Sequence, residues 1–502
     1  MELSVHALRD RLDSFLFELG SLQYRYGAGL SSQFPAERLY ASFSELSRAE
    51  SYLAIREAAE KRSTDEQERR RMRMLLEFIA GQVEEGLSAE AIEAIARTEG
   101  QATVLVQNQH IPFRDALAQL TTEDSRQRRA ELELALGKFL NEQRGPYIHR
   151  REAAFRTAET LKAGSYLQLR DELSGFSAKA LAAEAEGVLK QTEDAYRDVL
   201  GYVLKKLDPQ LRPLPSGNAR RHDILRASVA PWLFPHFRRE DLFHAVTRCL
   251  GDMGFHPNAE GRIQLDLDDR PGKSSRAFVA DLRVPDDIRL VVRPLGGIDD
   301  YFSLLHEYGH ALHLANINRR APVEERRLGD PSVIEANASL FDHFLLDEGW
   351  LKRYLRLPSS VASDSARVAA FNNLVLLRRY CAKLSYELSL YERGPSDAVA
   401  EEYEERLTHA LFVGVERGFF LYDVDPQLYA ARYLRAWALE ARFHEVLQNR
   451  FNEDYWRNPA AGTWLKNLSS QGQREDAASL AKTLTGAELR LADAGQRLIR
   501  VM

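Results

Sequence analysis

The stretch YFSLLHEYGHALHLANINRR, residues 301–320, contains two histidines and a glutamate in a spacing typical of metal-binding helices. His306 and His310 are four residues apart, so a helix places both imidazoles on one face, with Glu307 beside them. In this H-E-x-x-H arrangement two neutral imidazoles bind Zn²⁺, and the carboxylate accepts a proton from metal-bound water. The stretch therefore predicts a metal-binding helix over about residues 299–316.

A catalytic zinc site needs a third protein ligand, because such sites use three and leave the fourth position to water. His313 is on the same face but lies about 10.5 Å along the helix axis from His306, too far to share the metal. Glu324 and Glu325 lie in an arginine-rich turn, for which we predict a solvated loop. Glu348 lies near a helix end. These positions are poorer candidates than the segment that lies between them.

That segment, GDPSVIEANASLFDHFLL, contains Glu335. It starts with helix-capping residues and is mostly apolar, so the carboxylate of Glu335 needs a partner, and a divalent cation would be one. Asp342 is seven residues further on the same face, and we predict that it accepts the other N–H of a ligand histidine. His343 is on a different face and is predicted to be structural.

The wider chain predicts a mostly α-helical protein with one small sheet. Residues 1–205 show helical periodicity, and the Pro-rich loop 208–217 suggests a lobe boundary. Three short β-branched segments over about 261–294 predict a small antiparallel sheet just before the metal helix, which Asp299 or Asp300 caps. Strands are expected only there. The predicted domains are an N-terminal helical lobe, 1–205, and a catalytic region, 206–502.

Composition limits the possible partners. The chain has 502 residues with 68 basic and 74 acidic side chains, a net charge of −6, so we expect no nucleic-acid and no membrane partner. Two cysteines, Cys249 and Cys381, are too few for a disulfide framework and fit a reducing compartment, where they would be buried apolar residues. Charges interrupt the N-terminal segment, which predicts no signal peptide and a cytoplasmic location.

Between about residues 235 and 476 the sequence resembles, segment after segment, the thimet oligopeptidase family of zinc metallopeptidases, which includes oligoendopeptidase F and mitochondrial intermediate peptidase. HEYGHALH resembles the family's zinc motif, and PSVIEANASLFD resembles the segment with its glutamate ligand. The other similar segments are FHPNAEGRIQLDLDDRPGKSSRAF, LYAARYLRAWALEARF and FNEDYWRNPAAGTWLKNLSSQGQRED.

The resemblance implies a zincin-like fold: a mostly α-helical ellipsoid with a deep substrate channel and a small antiparallel sheet next to the zinc-binding helix. It implies one Zn²⁺ per chain, held by His306, His310 and Glu335, with short unstructured peptides as substrates. Pairing of the substrate backbone with an edge of the sheet is also implied, for which the strand around Arg289 to Arg293 is our candidate.

Tyr429 and Tyr433 match two tyrosines that, in the family, stabilise the oxyanion of the tetrahedral intermediate. The chain departs from the family around them. No histidine precedes Tyr429 in DVDPQL, a further family tyrosine falls near Ala436, and Ala430 and Ala431 replace glycines. Tyrosines at this spacing are equally compatible with the core face of a helix.

The function predicted from the sequence is a zinc-dependent oligopeptidase that cuts internal peptide bonds, with Glu307 as general base. A zinc carboxypeptidase of similar helical fold is an alternative, because arginines able to bind a terminal carboxylate are plentiful. A non-catalytic peptide-binding relative is another. Mn²⁺ or Co²⁺ would suit the same ligands, and the oligomeric state is left open.

Overall fold

The computed structural model describes residues 5–61, 65–274 and 276–502. Within these ranges the chain is mostly helical with two small sheets, which confirms the predicted α-rich class. It forms two compact units, and neither unit is continuous in sequence. Unit 1 comprises Met1–Gln82, Leu233–Ala366 and Arg435–Ala494, and unit 2 comprises Val83–Trp232, Arg367–Leu434 and Gly495–Met502. The predicted division at residue 205 falls inside unit 2, so the two units do not coincide with the predicted domains.

The helices of the described residues are numbered in chain order. They are α1 Val5–Gly27, α2 Ala36–Ser42, α3 Ala49–Lys61, α4 Glu66–Gln101, α5 Phe113–Thr122, α6 Arg126–Glu142, α7 Arg144–Thr160, α8 Tyr166–Ser174, α9 Ala178–Gln191, α10 Glu193–Leu207, α11 Arg221–Ser228, α12 Arg239–Asp252, α13 Ile298–Asn316, α14 Val323–Arg327, α15 Pro331–Asp342, α16 Glu348–Tyr354, α17 Ser359–Arg393, α18 Asp397–Leu411, α19 Tyr429–Phe451, α20 Pro459–Ser470, α21 Ala477–Thr485 and α22 Ala492–Arg500. The strands are β1 Thr103–Val106, β2 Gln109–Pro112, β3 Ile263–Asp266, β4 Phe278–Arg283 and β5 Asp287–Val291.

The predicted metal helix is α13, and local sequence determines where it begins. Gly297 precedes it with a φ of 96°, a conformation that glycine adopts without strain. Asp300, in the first turn, accepts hydrogen bonds from the backbone N–H groups of Leu295 and Gly296 at 2.6 and 2.5 Å. Asp300 therefore ties the preceding turn to the helix, and its negative charge is favourable near the positive end of the helix dipole.

The sheet beside α13 is mixed, and the prediction of an antiparallel sheet was wrong for one of its two pairings. The strand order is β3-β5-β4, with β4 antiparallel to β5 and β3 parallel to it. The chain passes from β3 to β4, at the other edge of the sheet, through a connecting loop. The buried side chain of Lys273 forms hydrogen bonds with residues of this connection. Nζ of Lys273 donates to the backbone oxygens of Asp266 and Asp268, at 2.8 Å each, and to Oδ1 of Asp266 at 3.0 Å.

Strands also occur outside this sheet, contrary to prediction. β1 and β2 form an antiparallel hairpin in unit 2, within the region predicted to be entirely helical. Gln107 and Asn108 connect the strands with φ angles of 51° and 62°, the positive values that a two-residue hairpin turn requires. The alternating burial of Val104 and Val106 stabilises the pair. This alternation was visible in TVLV, but the segment is only four residues long.

The prediction of a solvated loop for Glu324 and Glu325 was also wrong. Both side chains are buried in α14. Nε of Arg9 on α1 donates to Oε1 of Glu324 at 2.5 Å, and Nε of Arg71 on α4 donates to Oε1 of Glu325 at 2.8 Å. Arginines distant in sequence therefore compensate the buried carboxylates, and neighbouring sequence gave no sign of this pairing.

Among the helices of the described residues, none is long and apolar enough to cross a membrane. Cys249 and Cys381 are free and buried, as predicted. Burial raises the pKa of both thiols, so each is an apolar packing residue rather than a reactive thiolate.

Candidate metal centre

The centre is built where α13 and α15 approach each other closely in unit 1. Gly309, in the fourth position of the H-E-x-x-H pattern, makes this approach possible. A Cβ at that position would lie 2.6 Å from Cα of Ala338 and 2.7 Å from the backbone oxygen of Asn337, both on α15. α15 itself begins with Asp330, whose side chain accepts the N–H of Ser332, followed by Pro331 at the first helical position.

The close packing brings the three predicted ligands together. Oε2 of Glu335 lies 3.5 Å from Nε2 of His306 and 3.7 Å from Nε2 of His310. Tetrahedral zinc with bonds of about 2.0–2.1 Å separates its ligand atoms by about 3.3 Å, so Glu335 lies near the required distance from both histidines. All three ligand atoms lie within 4.8 Å of one another. Among the described residues, His306, His310 and Glu335 are the group of His, Cys, Asp or Glu side chains that lie close enough together to hold one metal ion.

Asp342 occupies the position predicted for it. Its Oδ2 lies 2.7 Å from Nδ1 of His306, and its side chain is buried. An imidazole that donates its Nδ1–H to a carboxylate presents Nε2 as a lone-pair donor, which is the tautomer that a metal requires. Asp342 therefore fixes both the orientation and the tautomer of His306.

The two histidines differ in electrostatic surroundings. Burial opposes the protonation of His306, but the carboxylates of Asp342 and Glu335 outweigh it and raise the pKa of this imidazole. Burial lowers the pKa of His310, and the positive charge of a protonated His306 lowers it further. A divalent ion between the rings would take the place of the proton at His306, since both compete for the same electron pairs.

Glu307 lies beside these ligands, on the side facing the sheet. The backbone N–H of Val279 in β4 donates to its carboxylate. Burial raises the pKa of Glu307 to about 7, and the nearby charge of His306 opposes this rise. A carboxyl group held beside the three candidate ligands is placed to accept a proton from water and release it again within one reaction cycle.

His313 is not part of the cluster, in agreement with its distance along the helix. It is buried, and burial lowers its pKa to about 4, so it is a neutral core residue. Neither ring nitrogen has a hydrogen-bond partner among the residues the structure describes.

The predicted substrate strand, around Arg289 to Arg293, was wrong. β5 is the central strand, so its backbone groups pair with β3 on one side and β4 on the other and offer no free edge. β4 is an edge strand of this sheet and the one that contacts Glu307, through Val279. Sequence order did not reveal this, because the strand last in sequence is the middle strand in space.

Tyr429 and Tyr433 belong to unit 2, whereas the histidines and Glu335 belong to unit 1. The two tyrosines lie one turn apart at the start of α19, with ring centroids 5.1 Å apart. The ring of Tyr380 on α17 lies 5.1 Å from that of Tyr433. Both tyrosines are half-buried, and their assignment to oxyanion stabilisation stays a prediction.

No protein-family model and no curated protein matches the chain. The donor set is nevertheless informative by its chemistry. Two imidazole nitrogens and one carboxylate oxygen suit zinc and neighbouring transition metals, whereas Ca²⁺ and Mg²⁺ prefer oxygen donors alone. Three protein ligands leave one coordination position for water, which distinguishes a catalytic from a structural zinc site.

Proposed function

We propose that the protein is a zinc-dependent oligopeptidase that hydrolyses internal bonds of short unstructured peptides. The observation that carries the proposal is the convergence of His306, His310 and Glu335, with the carboxylate of Glu307 interacting electrostatically with His306 and Glu335. A structural zinc site has no use for a general base and fills its fourth position with a protein ligand. The resemblance to the thimet oligopeptidase family supports the same assignment.

In the proposed reaction, a bound zinc ion supplies Lewis acidity that polarises the scissile carbonyl and acidifies water. Glu307 accepts the proton of the attacking water and passes it to the leaving amine. The N–H of Val279 holds the Glu307 carboxylate in place, and Asp342 holds His306. Tyr433 and Tyr429 are our candidates for donors to the developing oxyanion, following the family resemblance.

β4 is the strand that we propose as the docking edge for substrate. An extended peptide that adds to an exposed sheet edge binds through main-chain hydrogen bonds, which give affinity with little side-chain selectivity. Val279 on this strand contacts Glu307, so a peptide alongside β4 would have a backbone carbonyl near the proposed base. The zincin-like channel and the restriction to short peptides rest on the family resemblance.

The test is cleavage of a mixed library of short peptides by the wild-type protein and by Glu307→Gln, each with and without 1,10-phenanthroline, read by mass spectrometry. We expect internal cuts that are lost with chelator and lost in the variant. Metal analysis of Glu307→Gln should still find about one zinc per chain, because Glu307 is not a ligand. Loss of zinc in this variant, or retention of turnover, would contradict the role of Glu307.

The same library distinguishes the alternatives. Removal of single C-terminal residues, blocked when the peptide ends in an amide, would indicate a carboxypeptidase instead. Zinc binding without any cleavage would indicate a peptide-binding relative, and the segment with Ala430 and Ala431 in place of the family glycines would be the first region to mutate.

A further inference from the structure

Asp342, which contacts His306, itself lies close to further buried polar side chains. Nε2 of His343 lies 3.8 Å from Oδ1 of Asp342, and its Nδ1 lies 3.0 Å from Oε2 of Glu440 on α19. The side chains of His343 and Glu440 are only 4% and 1% exposed. The series His306, Asp342, His343 and Glu440 therefore runs from α13 through the end of α15 to α19, entirely within unit 1.

These contacts surround the buried carboxylate of Asp342. The Asp342 side chain is only 2% exposed, and a buried carboxylate needs polar partners in place of the water it loses. His306 contacts one of its oxygens, while Oδ1 has no hydrogen-bond partner among the described residues. The ring of His343 lies near that oxygen, with Nε2 at 3.8 Å, and Glu440 orients the ring through Nδ1 at 3.0 Å.

We propose that His343 and Glu440 are positioning residues that hold Asp342 against His306 and thereby strengthen zinc binding without touching the ion. This proposal rests on the zinc centre of the proposed function. A group that hydrogen-bonds a ligand histidine directly, as Asp342 does with His306, contributes about 10- to 100-fold to metal affinity, and a group one step further out contributes less. We expect a contribution of about three- to tenfold from each of the two residues.

A purely structural role is the competing explanation, since the same contacts tie α15 to α19. The two roles differ in their dependence on Asp342. If His343 acts through Asp342, replacing His343 has no further effect on zinc affinity once Asp342 is replaced. A scaffold role would weaken zinc equally in both backgrounds, because the effects of independent substitutions add.

The experiment measures zinc affinity of the full chain by competition with a chromophoric chelator, for the wild type, His343→Gln, Glu440→Gln, Asp342→Asn and Asp342→Asn/His343→Gln. His444→Gln is the matched control, because His444 lies one turn from Glu440 on α19 and contacts Tyr455 instead, at 3.1 Å. Circular dichroism and urea unfolding of the zinc-free proteins check that each variant folds.

We expect His343→Gln and Glu440→Gln to weaken zinc about three- to tenfold, His444→Gln to leave it unchanged, and the double variant to match Asp342→Asn. Affinities within twofold of the wild type, an undiminished effect of His343→Gln in the Asp342→Asn background, or failure of both single variants to fold would overturn the proposal. Zinc binding by the wild type without peptide cleavage would overturn the proposed function alone. A folded wild type that binds no zinc would overturn both.

Discussion

Gly309 connects the H-E-x-x-H motif to the packing of α13 against α15, the two helices that carry the candidate ligands. Its missing side chain allows Ala338 and Asn337 of α15 to lie within 3 Å of where a Cβ would be. The atoms that occupy this space belong to the backbone of α15, so a side chain at position 309 could be accommodated only if α15 moved away from α13. The distance from Glu335 to the two histidines therefore depends on the absence of one methyl group.

The substitution Gly309→Ala is expected to separate α13 from α15, destabilise the protein by about 1–3 kcal/mol and weaken zinc binding. Urea unfolding and chelator competition measure the two effects. Gly251→Ala is the matched control, because a Cβ at Gly251, inside α12, meets no atom within 4 Å. Wild-type zinc affinity in Gly309→Ala would contradict the packing argument.

Glu387 on α17 is a fully buried acidic residue of unit 2. It accepts the backbone N–H of Asp425 at 2.8 Å, and Lys383 lies 3.9 Å from it and 2.9 Å from the Asp425 carboxylate. Burial raises the pKa of Glu387 to about 8, against the opposing effect of Lys383. The neutral acid therefore stabilises the fold fully below about pH 4.5, and this contribution is lost as the pH rises towards 8.

Replacing Glu387 with Gln keeps a neutral acceptor for the Asp425 N–H and removes the titration. We expect the stability of Glu387→Gln relative to the wild type to increase steadily between pH 5 and pH 8, as measured by urea unfolding. Glu405→Gln, at an exposed position of α18, controls for the change in net charge. A difference that does not change with pH would show that Glu387 does not titrate in this range.

At the scale of elements, ion pairs attach α1 to α14 and α4 within unit 1. Arg9 on α1 pairs with Glu324 of α14, whose side chain has no solvent exposure, and also with Glu68 of α4 at 2.8 Å. Arg11, on the same helix, pairs with Glu45 near the surface, and its side chain is 44% exposed. Glu45 is 15% exposed and Glu324 is 0% exposed, so the two arginines compare a partly exposed acidic partner with a fully buried one.

Arg9→Met is expected to lower the free energy of unfolding by about 2–3 kcal/mol, because it removes the cation that is hydrogen-bonded to the buried Glu324 carboxylate. The expected loss is smaller than the loss of about 3–5 kcal/mol that follows when one partner of a fully buried ion pair is removed, because Arg9 is 23% exposed. Arg11→Met should cost less than about 1 kcal/mol. Equal effects in urea unfolding would mean that burial of Glu324 does not determine the strength of the attachment.

At the scale of the whole molecule, binding of a metal is linked to stability because the unfolded chain does not hold the ligands together. The candidate ligands come from two helices of unit 1, so an ion bound there opposes unfolding of that unit. Zinc in 100-fold excess over its dissociation constant would stabilise the folded state by about 2.7 kcal/mol.

We therefore expect 1,10-phenanthroline to lower the urea midpoint of the wild type, and added zinc to restore it. His306→Ala should unfold at the same midpoint with and without zinc. A wild-type midpoint that does not respond to zinc, or an equal response in His306→Ala, would show that the ion does not bind at this centre.

The sequence by itself determined the parts that depend on local periodicity and motif spacing. The α-rich class, the helix that carries His306 and His310, and the position of Asp342 on the same helix as Glu335 all follow from residues four or seven positions apart. Helical geometry fixes which side chains share a face, so no distant contact was needed to predict them.

Tertiary structure decided everything that depends on residues distant in sequence. It made β5 the central strand, placed Val279 of β4 against Glu307, and buried Glu324 next to Arg9. It also set His343, predicted to be structural, against Glu440. Strand order and the partners of buried charges are set by chain crossovers and by packing between distant segments, and local sequence does not encode either of them.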